Sequence, residues 1–303
     1  MASFVTGPVG VSVPATSANL GPGFDSLGLA LGLRDRLEAE ILTDGLVVEV
    51  GGEGAGDVPL DETHLVVRAM RAAFEQMDAA PTGIRLTCSN LIPHARGLGS
   101  SSAAIVGGLS LARALVKDGP ELLDDDALFA LAARIEGHPD NVAPALYGGF
   151  VISGRDDDDT FYAVRSAVDP RVSAVVLVPS APVSTELARG LLPEQVPHAD
   201  AAADAGRTAL LVAALAGQPE QLWRATRDYL HQDYRRTAMP ESLALVDALR
   251  ADGVPAIVSG AGPTVLAFTT GGDGTETRAL LGRCPAGWTP MHLPVDTDGA
   301  KVT

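Results

Sequence analysis

One stretch limits what this chain can fold into more than any other: Pro93-His94-Ala95-Arg96-Gly97-Leu98-Gly99-Ser100-Ser101-Ser102-Ala103-Ala104. Two glycines and three serines run straight into an apolar, alanine-rich segment. Ala103 to Val116 reads as a helix that stops at Asp118-Gly119-Pro120. Gly97 and Gly99 lack a Cβ, so the backbone there can take positive φ and come close to a ligand. The serines fall where the first N–H groups of a helix have no partner. Those groups and the positive end of the helix dipole favour phosphate, and a serine hydroxyl there can ligate Mg²⁺. No Lys precedes the serines, so this is not a Walker A loop. Ser102 stands where a dinucleotide fingerprint needs a third glycine. The same residues also suit a Gly-Ser turn capping a core helix.

A chain of 303 residues can hold two domains with cores of their own. Its formal net charge of −16 argues against a nucleic-acid footprint. An anionic substrate must therefore be held by local cations against the overall field. Cys88 and Cys284 are too few for a disulfide framework, and a reducing cytoplasm is the expected home. Their spacing does not resemble a zinc site. The start, Met1-Ala2-Ser3-Phe4, shows no secretory signal, and no apolar run is long enough to span a bilayer.

Three further stretches concentrate chemistry. Val9 to Pro14 reads as a strand and leads into an ordered loop, Pro14 to Asp25, whose only long polar or charged side chains are Asn19 and Asp25. A plainer reading makes Asp25 the N-cap of a short helix over Leu27–Leu31. Glu136-Gly137-His138-Pro139-Asp140-Asn141 crowds four polar groups into six residues. It also suits a helix C-cap at Gly137 followed by a new N-cap at Asp140. Val183 starts a helix that puts Thr185 and Arg189 one turn apart. Arginine offers a planar fork that matches a carboxylate, although an ordinary surface Arg fits as well.

Between these stretches, Leu37–Leu42 and Leu46–Val50 read as a hairpin or meander, Asp61 to Val66 leads into a helix through Gln76, and Ile84–Cys88 reads as a strand. Asp124-Asp125-Asp126 opens a helix to about Glu136, its acids complementing the dipole. Strands follow at Gly148–Ser153, Phe161–Val164 and Val172–Val178. Helices follow at Ala201–Ala216, Pro219–Tyr229 and Glu241–Asp252. Ala256 to Leu266 reads as two strands around a glycine loop. Thr275–Leu281 is a helix, Gly287–Val295 a last strand, and the tail from Asp296 is expected to fray.

Taken together, these motifs resemble the GHMP small-molecule kinases, and within them the homoserine kinase family. The stretch from Pro93 fits the phosphate-loop pattern P-x-x-x-G-L-G-S-S-x-A. Thr16 to Asp25 resembles T-S-A-N-L-G-x-G-F-D, and Glu136 to Pro144 resembles E-G-H-P-D-N-V-A-P. Ser184 to Arg189 matches S-T-x-x-A-R, Tyr234 to Pro240 matches Y-R-x-x-x-x-P, and Ala256 to Leu266 is similar to the third motif. The chain departs from the pattern at His64, where relatives carry Asn near the adenine, and at Gln232-Asp233, where they carry Glu-Pro.

The resemblance implies a two-domain α+β GHMP kinase fold. Residues 1–168 would form a ribosomal-S5-like, ATP-binding domain and 169–303 a ferredoxin-like domain. It implies ATP-dependent phosphorylation of the side-chain hydroxyl of L-homoserine, in a cytoplasmic homodimer without nucleic-acid or membrane partners. Pro93, Arg96, Gly97, Leu98, Gly99, Ser100, Ser101 and Ser102 would bind ATP, and Ser101 with Glu136 would hold Mg²⁺. Asn19, Asp25, His138, Thr185, Arg189 and Arg235 would bind substrate. Asn141 and Asp140 would act on the hydroxyl, either with Asp140 as base or with no base. A mevalonate or sugar kinase, or a silent binding protein of the same fold, is the alternative.

Overall fold

A computed structural model describes residues 3–271 and 274–303. The sequence remark on Met1 and Ala2 therefore lies outside the described residues. In chain order the elements are β1 (Val9–Ala18), β2 (Leu27–Leu42), β3 (Gly45–Gly52), α1 (Leu65–Gln76), β4 (Gly83–Asn90), α2 (Ser100–Leu115) and α3 (Gly119–Leu122). Next come α4 (Asp125–Glu136), α5 (Pro139–Tyr147), β5 (Phe150–Arg155), β6 (Phe161–Ser166), β7 (Ser173–Val178), α6 (Thr185–Gly190) and α7 (His198–Gly217). The chain ends with α8 (Leu222–Ala225), α9 (Pro240–Ala251), β8 (Ala256–Val258), β9 (Val265–Thr269), α10 (Thr275–Leu281), β10 (Thr289–Pro294) and β11 (Lys301–Val302).

The first sheet is built on β2, which is long enough to serve two neighbours along one side. Its start pairs with β5, its end with β4, and β1 runs antiparallel along its other side. The order β11-β1-β2-β4-β3 carries β5 and β6 as a branch. Helices α2 and α5 lie against β1 and β2, and α1 and α4 pack on α2. The second sheet runs β10-β7-β9-β8, all antiparallel. In the order of its own strands this is 4-1-3-2, with helices after the first and third strands. That is the ferredoxin-like β-α-β-β-α-β arrangement. Every residue of β8 and β9 is buried, so the apolar runs read from sequence are explained by helices on one face and the first domain on the other. The main core is continuous from Val13 and Leu86 through Val176 and Phe268.

The sequence reading needs four corrections. Leu27–Leu31 is not a helix but the start of β2, where alternate residues are needed by two partner strands. β2 and β3 do not form a hairpin: β3 pairs only with β4, and in parallel. The expected helix Pro219–Tyr229 gives way after Ala225. There the Asp228 carboxylate takes the N–H groups of Leu230, His231 and Gln232, which competes with helical bonding. The tail from Asp296 does not fray. Asp296 accepts from Arg34, whose guanidinium also donates to the carbonyls of Ser12 (2.8 Å) and Gly299 (2.6 Å). Lys301–Val302 then pairs with β1.

Arg34 thus joins β1, β2 and the tail through one side chain. Asp296 is only 8% exposed at its side chain, so removing its partner leaves a poorly solvated carboxylate. Arg34→Ala is expected to destabilise the fold by about 3 kcal/mol in urea unfolding. A change near zero would show that the tail is not anchored in this way.

Candidate active site

Four loops meet between the two sheets. The loop after β4 reaches the second domain through its backbone. Val183 donates to the carbonyl of Ala95 and Thr264 to that of Arg96. The Ser259 hydroxyl lies 2.6 Å from the Gly97 carbonyl and 2.8 Å from the hydroxyl of Ser17. Gly97 and Gly99 both take positive φ (74° and 72°). A Cβ on Gly97 would drive into the Ser259 carbonyl, and one on Gly99 into the Thr16 hydroxyl. Asn19, Leu20, Asp25 and Ala95 also take positive φ (66°, 50°, 54° and 52°) around the same cleft. Such conformations cost energy and gather at functional sites.

Two cavities meet at Ser100 and Ser101, the first turn of α2. Gly99 caps that helix without a side-chain bond, and the first intrahelical bond is from Ala103 to Gly99. The N–H groups ahead of it therefore face open space. One cavity, of about 280 Å³, is walled by apolar Leu37, Val58, Pro59, Leu65 and Ala104, with His64 and His94 beside them. His64 is 5% exposed, and its Nδ1 has no partner among the described residues. Burial, then the charge of His94, lowers its pKa and keeps the ring neutral. A flat, uncharged heterocycle fits these walls.

The other cavity, of about 290 Å³, is charged. Asp25 and Arg189 form a two-bond ion pair across it, at 2.6 and 3.0 Å. Arg235 is 2% exposed and has no carboxylate partner among the described residues. It donates to the carbonyls of Ala188 (3.2 Å) and Gly260 (3.3 Å) and lies 3.0 Å from His231 Nδ1. Burial, then the nearby Arg189, pulls its pKa down to about 10. It stays cationic at neutral pH. Both guanidinium carbons sit 5.6 Å from the centroid of the Phe24 ring. Asn19 shapes the loop by accepting from the Asp25 N–H and donating to Gly260 (both 3.0 Å).

At the junction of the cavities the Ser101 hydroxyl donates to Glu136 (2.6 Å), as does Ser102 (3.0 Å). His138 Nδ1 is 2.7 Å from Asp140, which is 2% exposed. Burial alone would lower the His138 pKa. The hydrogen bond and charge of Asp140, with Glu136, outweigh it and raise it. Asn141 accepts from Thr16 at 2.8 Å.

The structure brings together Asn19, Asp25, His138, Asp140, Asn141, Thr185, Arg189 and Arg235 with Gly97, Gly99, Ser100, Ser101 and Glu136 on one cavity. Pro93, Arg96, Leu98 and Ser102 are not among the residues lining either one. The Arg96 guanidinium is taken up by the carbonyls of Pro179, His94 and Ser180, so it braces the loop. Leu98 is buried in the core. Sequence reasoning missed Thr16, Phe24 and His94. Phe24 carried a signal, as the one aromatic in a Gly-Pro-Gly loop.

The chain matches the family models for the GHMP kinase N-terminal domain over residues 64–149 and C-terminal domain over 210–279. It is 52% identical over 300 residues to a homoserine kinase of Streptomyces coelicolor, covering 99% of this chain and 96% of that one. It is 50% identical to a homoserine kinase of Clavibacter michiganensis, covering 97% and 93%. Among solved structures, a homoserine kinase from Cytophaga hutchinsonii superposes with a TM-score of 0.84 at 27% identity, covering 99% of both chains. A mevalonate kinase of L. major superposes with a TM-score of 0.73 at 17% identity, covering 98% of this chain and 99% of that one, which speaks for the fold alone.

Arg235 is positioned by the segment after α8, and Asp204 of α7 ties that segment down through the Tyr229 N–H (3.0 Å). Burial pushes the Asp204 carboxyl from 3.8 up to about 7, against the opposing Tyr229 bond and with a small push from Asp228. The folded state thus holds this proton more tightly than the unfolded chain does. Its contribution to stability is full below pH 3.8 and is lost as pH rises through about 7. Asp204→Asn keeps the acceptor without the charge. It should raise the melting temperature at pH 8 by more than at pH 5, whereas an equal effect at both would contradict this.

Proposed function

The chain belongs to the homoserine kinase family of the GHMP kinases, and from that membership we propose how its cleft works. It is an ATP-dependent small-molecule kinase that moves the γ-phosphoryl of ATP to the side-chain hydroxyl of L-homoserine. The products are O-phospho-L-homoserine and ADP, which suits a step of threonine biosynthesis.

One observation supports the acceptor above all: a carboxylate and two guanidiniums face one small cavity, and Arg235 lacks a carboxylate partner among the described residues. A zwitterionic amino acid can exchange with the existing Asp25–Arg189 pair. Its carboxylate meets Arg189 and Arg235, its ammonium meets Asp25, and each charge keeps a partner. Mevalonate or a sugar has no ammonium to offer Asp25. Asn19 and Thr185 border the same space and would orient the chain of the substrate.

The apolar cavity beside His64 would take the adenine, and the open N–H groups at Ser100 and Ser101 the phosphates. Gly97 and Gly99 let that backbone approach, while Pro93, Arg96, Leu98 and Ser102 would serve by holding the loop. Ser101 and Glu136 place a hydroxyl and a carboxylate 2.6 Å apart, and such hard oxygens suit Mg²⁺. Bound there, Mg²⁺ would offset charge on the phosphate oxygens. His138 and Asn141 would hold the acceptor hydroxyl in line. The His138–Asp140 pair would receive its proton, a modest task when the transition state is loose.

The division at 168/169 is supported by the two sheets, with β11 returning to β1. A cytoplasmic home is supported by the free thiols Cys88 and Cys284. Homodimeric assembly rests on family membership.

Arg189→Met tests the substrate assignment. Losing a charged hydrogen-bond partner costs roughly 1.5–3 kcal/mol, so KM for homoserine should rise about tenfold to a hundredfold, with KM for ATP unchanged. Equal damage to both values would contradict it.

A further inference from the structure

A third cavity, of about 490 Å³, lies away from both parts of the cleft and shares no lining residue with them. Arg207 of α7, Arg224 of α8, Arg227 beyond it and Arg250 of α9 converge on it, although the chain as a whole carries −16. Arg250 is already anchored. It donates to the Thr226 hydroxyl and the Trp223 carbonyl (both 2.8 Å), and its guanidinium carbon sits 5.7 Å from the Trp223 ring centroid. The other three have no ion-pair or hydrogen-bond partner among the described residues, although the Arg227 guanidinium sits 5.5 Å from the Tyr229 ring centroid. The charges of Arg227 and Arg207 are felt at Arg250, so the cations stand close enough to repel one another. The one acid on the wall, Asp247, is already engaged by Arg236 at 2.9 Å. Exposed Trp223 and half-buried Tyr229 supply flat apolar surface beside the charges.

We propose that this cleft is a second anion site, which takes a small phosphorylated molecule on Arg207, Arg224 and Arg227. Arginine forks match phosphate oxygens in pairs, and three forks without an acid partner, one from α7 and two from the stretch at α8, can surround a dianion. The apolar body of the ligand would rest on Trp223. The site touches the catalytic cleft through two elements. Tyr229 precedes Arg235 in one segment, and Thr208, next to Arg207, holds the carbonyl of Pro22 at 2.8 Å.

The chain has two tryptophans, Trp223 and Trp288. In a Trp288→Phe variant Trp223 alone reports, so emission can be followed while inorganic phosphate is added at constant ionic strength. The expected result is a saturable change whose apparent affinity falls at least about tenfold when R224A/R227A is added, the loss of a charged contact. Both residues are exposed, so turnover without added phosphate should stay normal in R224A/R227A, which shows that the variant is folded. No saturable change, an equal change in the variant, or the same response to chloride would overturn the proposal. So would R224A/R227A altering the sedimentation of the chain, which would make the cleft a protein interface.

Discussion

The hydroxyl of Ser259 bonded to the carbonyl of Gly97 is the contact on which the site depends. The loop before α2 is held from both domains. Its backbone carbonyls at Ala95, Arg96 and Gly97 are satisfied by groups of the second domain, and Gly260 donates in return to Ala18 at the end of β1. Buried backbone groups need partners, so the glycine loop between β8 and β9 and the loop before α2 specify each other's shape. Gly97 is glycine because a side chain there would occupy the place of the Ser259 carbonyl.

On that frame the charges divide the labour. The cavity at His64 is walled mainly by apolar side chains, whereas the one at Asp25 sets that carboxylate and the guanidiniums of Arg189 and Arg235 around a single small space. The cost of burying Arg235 is offset by carbonyls and by the Phe24 face rather than by an acid. Its charge therefore remains available to a ligand carboxylate. Phosphoryl transfer asks a protein mostly to position and neutralise, and this cleft has groups for both tasks.

Much of the site was legible in the sequence because its parts are local. Gly97 to Ser102, Asn19 with Asp25, and Glu136 to Asn141 each carry their residue types in one short run. The helix start at Asp124 was visible for the same reason, since a cap is a local bond. What stayed hidden depends on residues far apart. Asp25 and Arg189 are separated by 164 positions, and nothing near either one announces that they pair. The parallel pairing of β3 with β4, the anchoring of the tail by Arg34 and the end of the helix at Ala225 are likewise decided by distant partners or by a competing carboxylate. For Arg96 the motif suggested ATP, and the bonds of its guanidinium to the carbonyls of Pro179 and His94 could not be read from the sequence.

The most direct measurement is ADP release from Mg-ATP with L-homoserine, beside L-serine, mevalonate and galactose as competing acceptors. The account predicts turnover with homoserine alone, since it has both end charges and a hydroxyl at the right reach. Comparable turnover with mevalonate or galactose, or nucleotide binding without turnover on any acceptor, would contradict it.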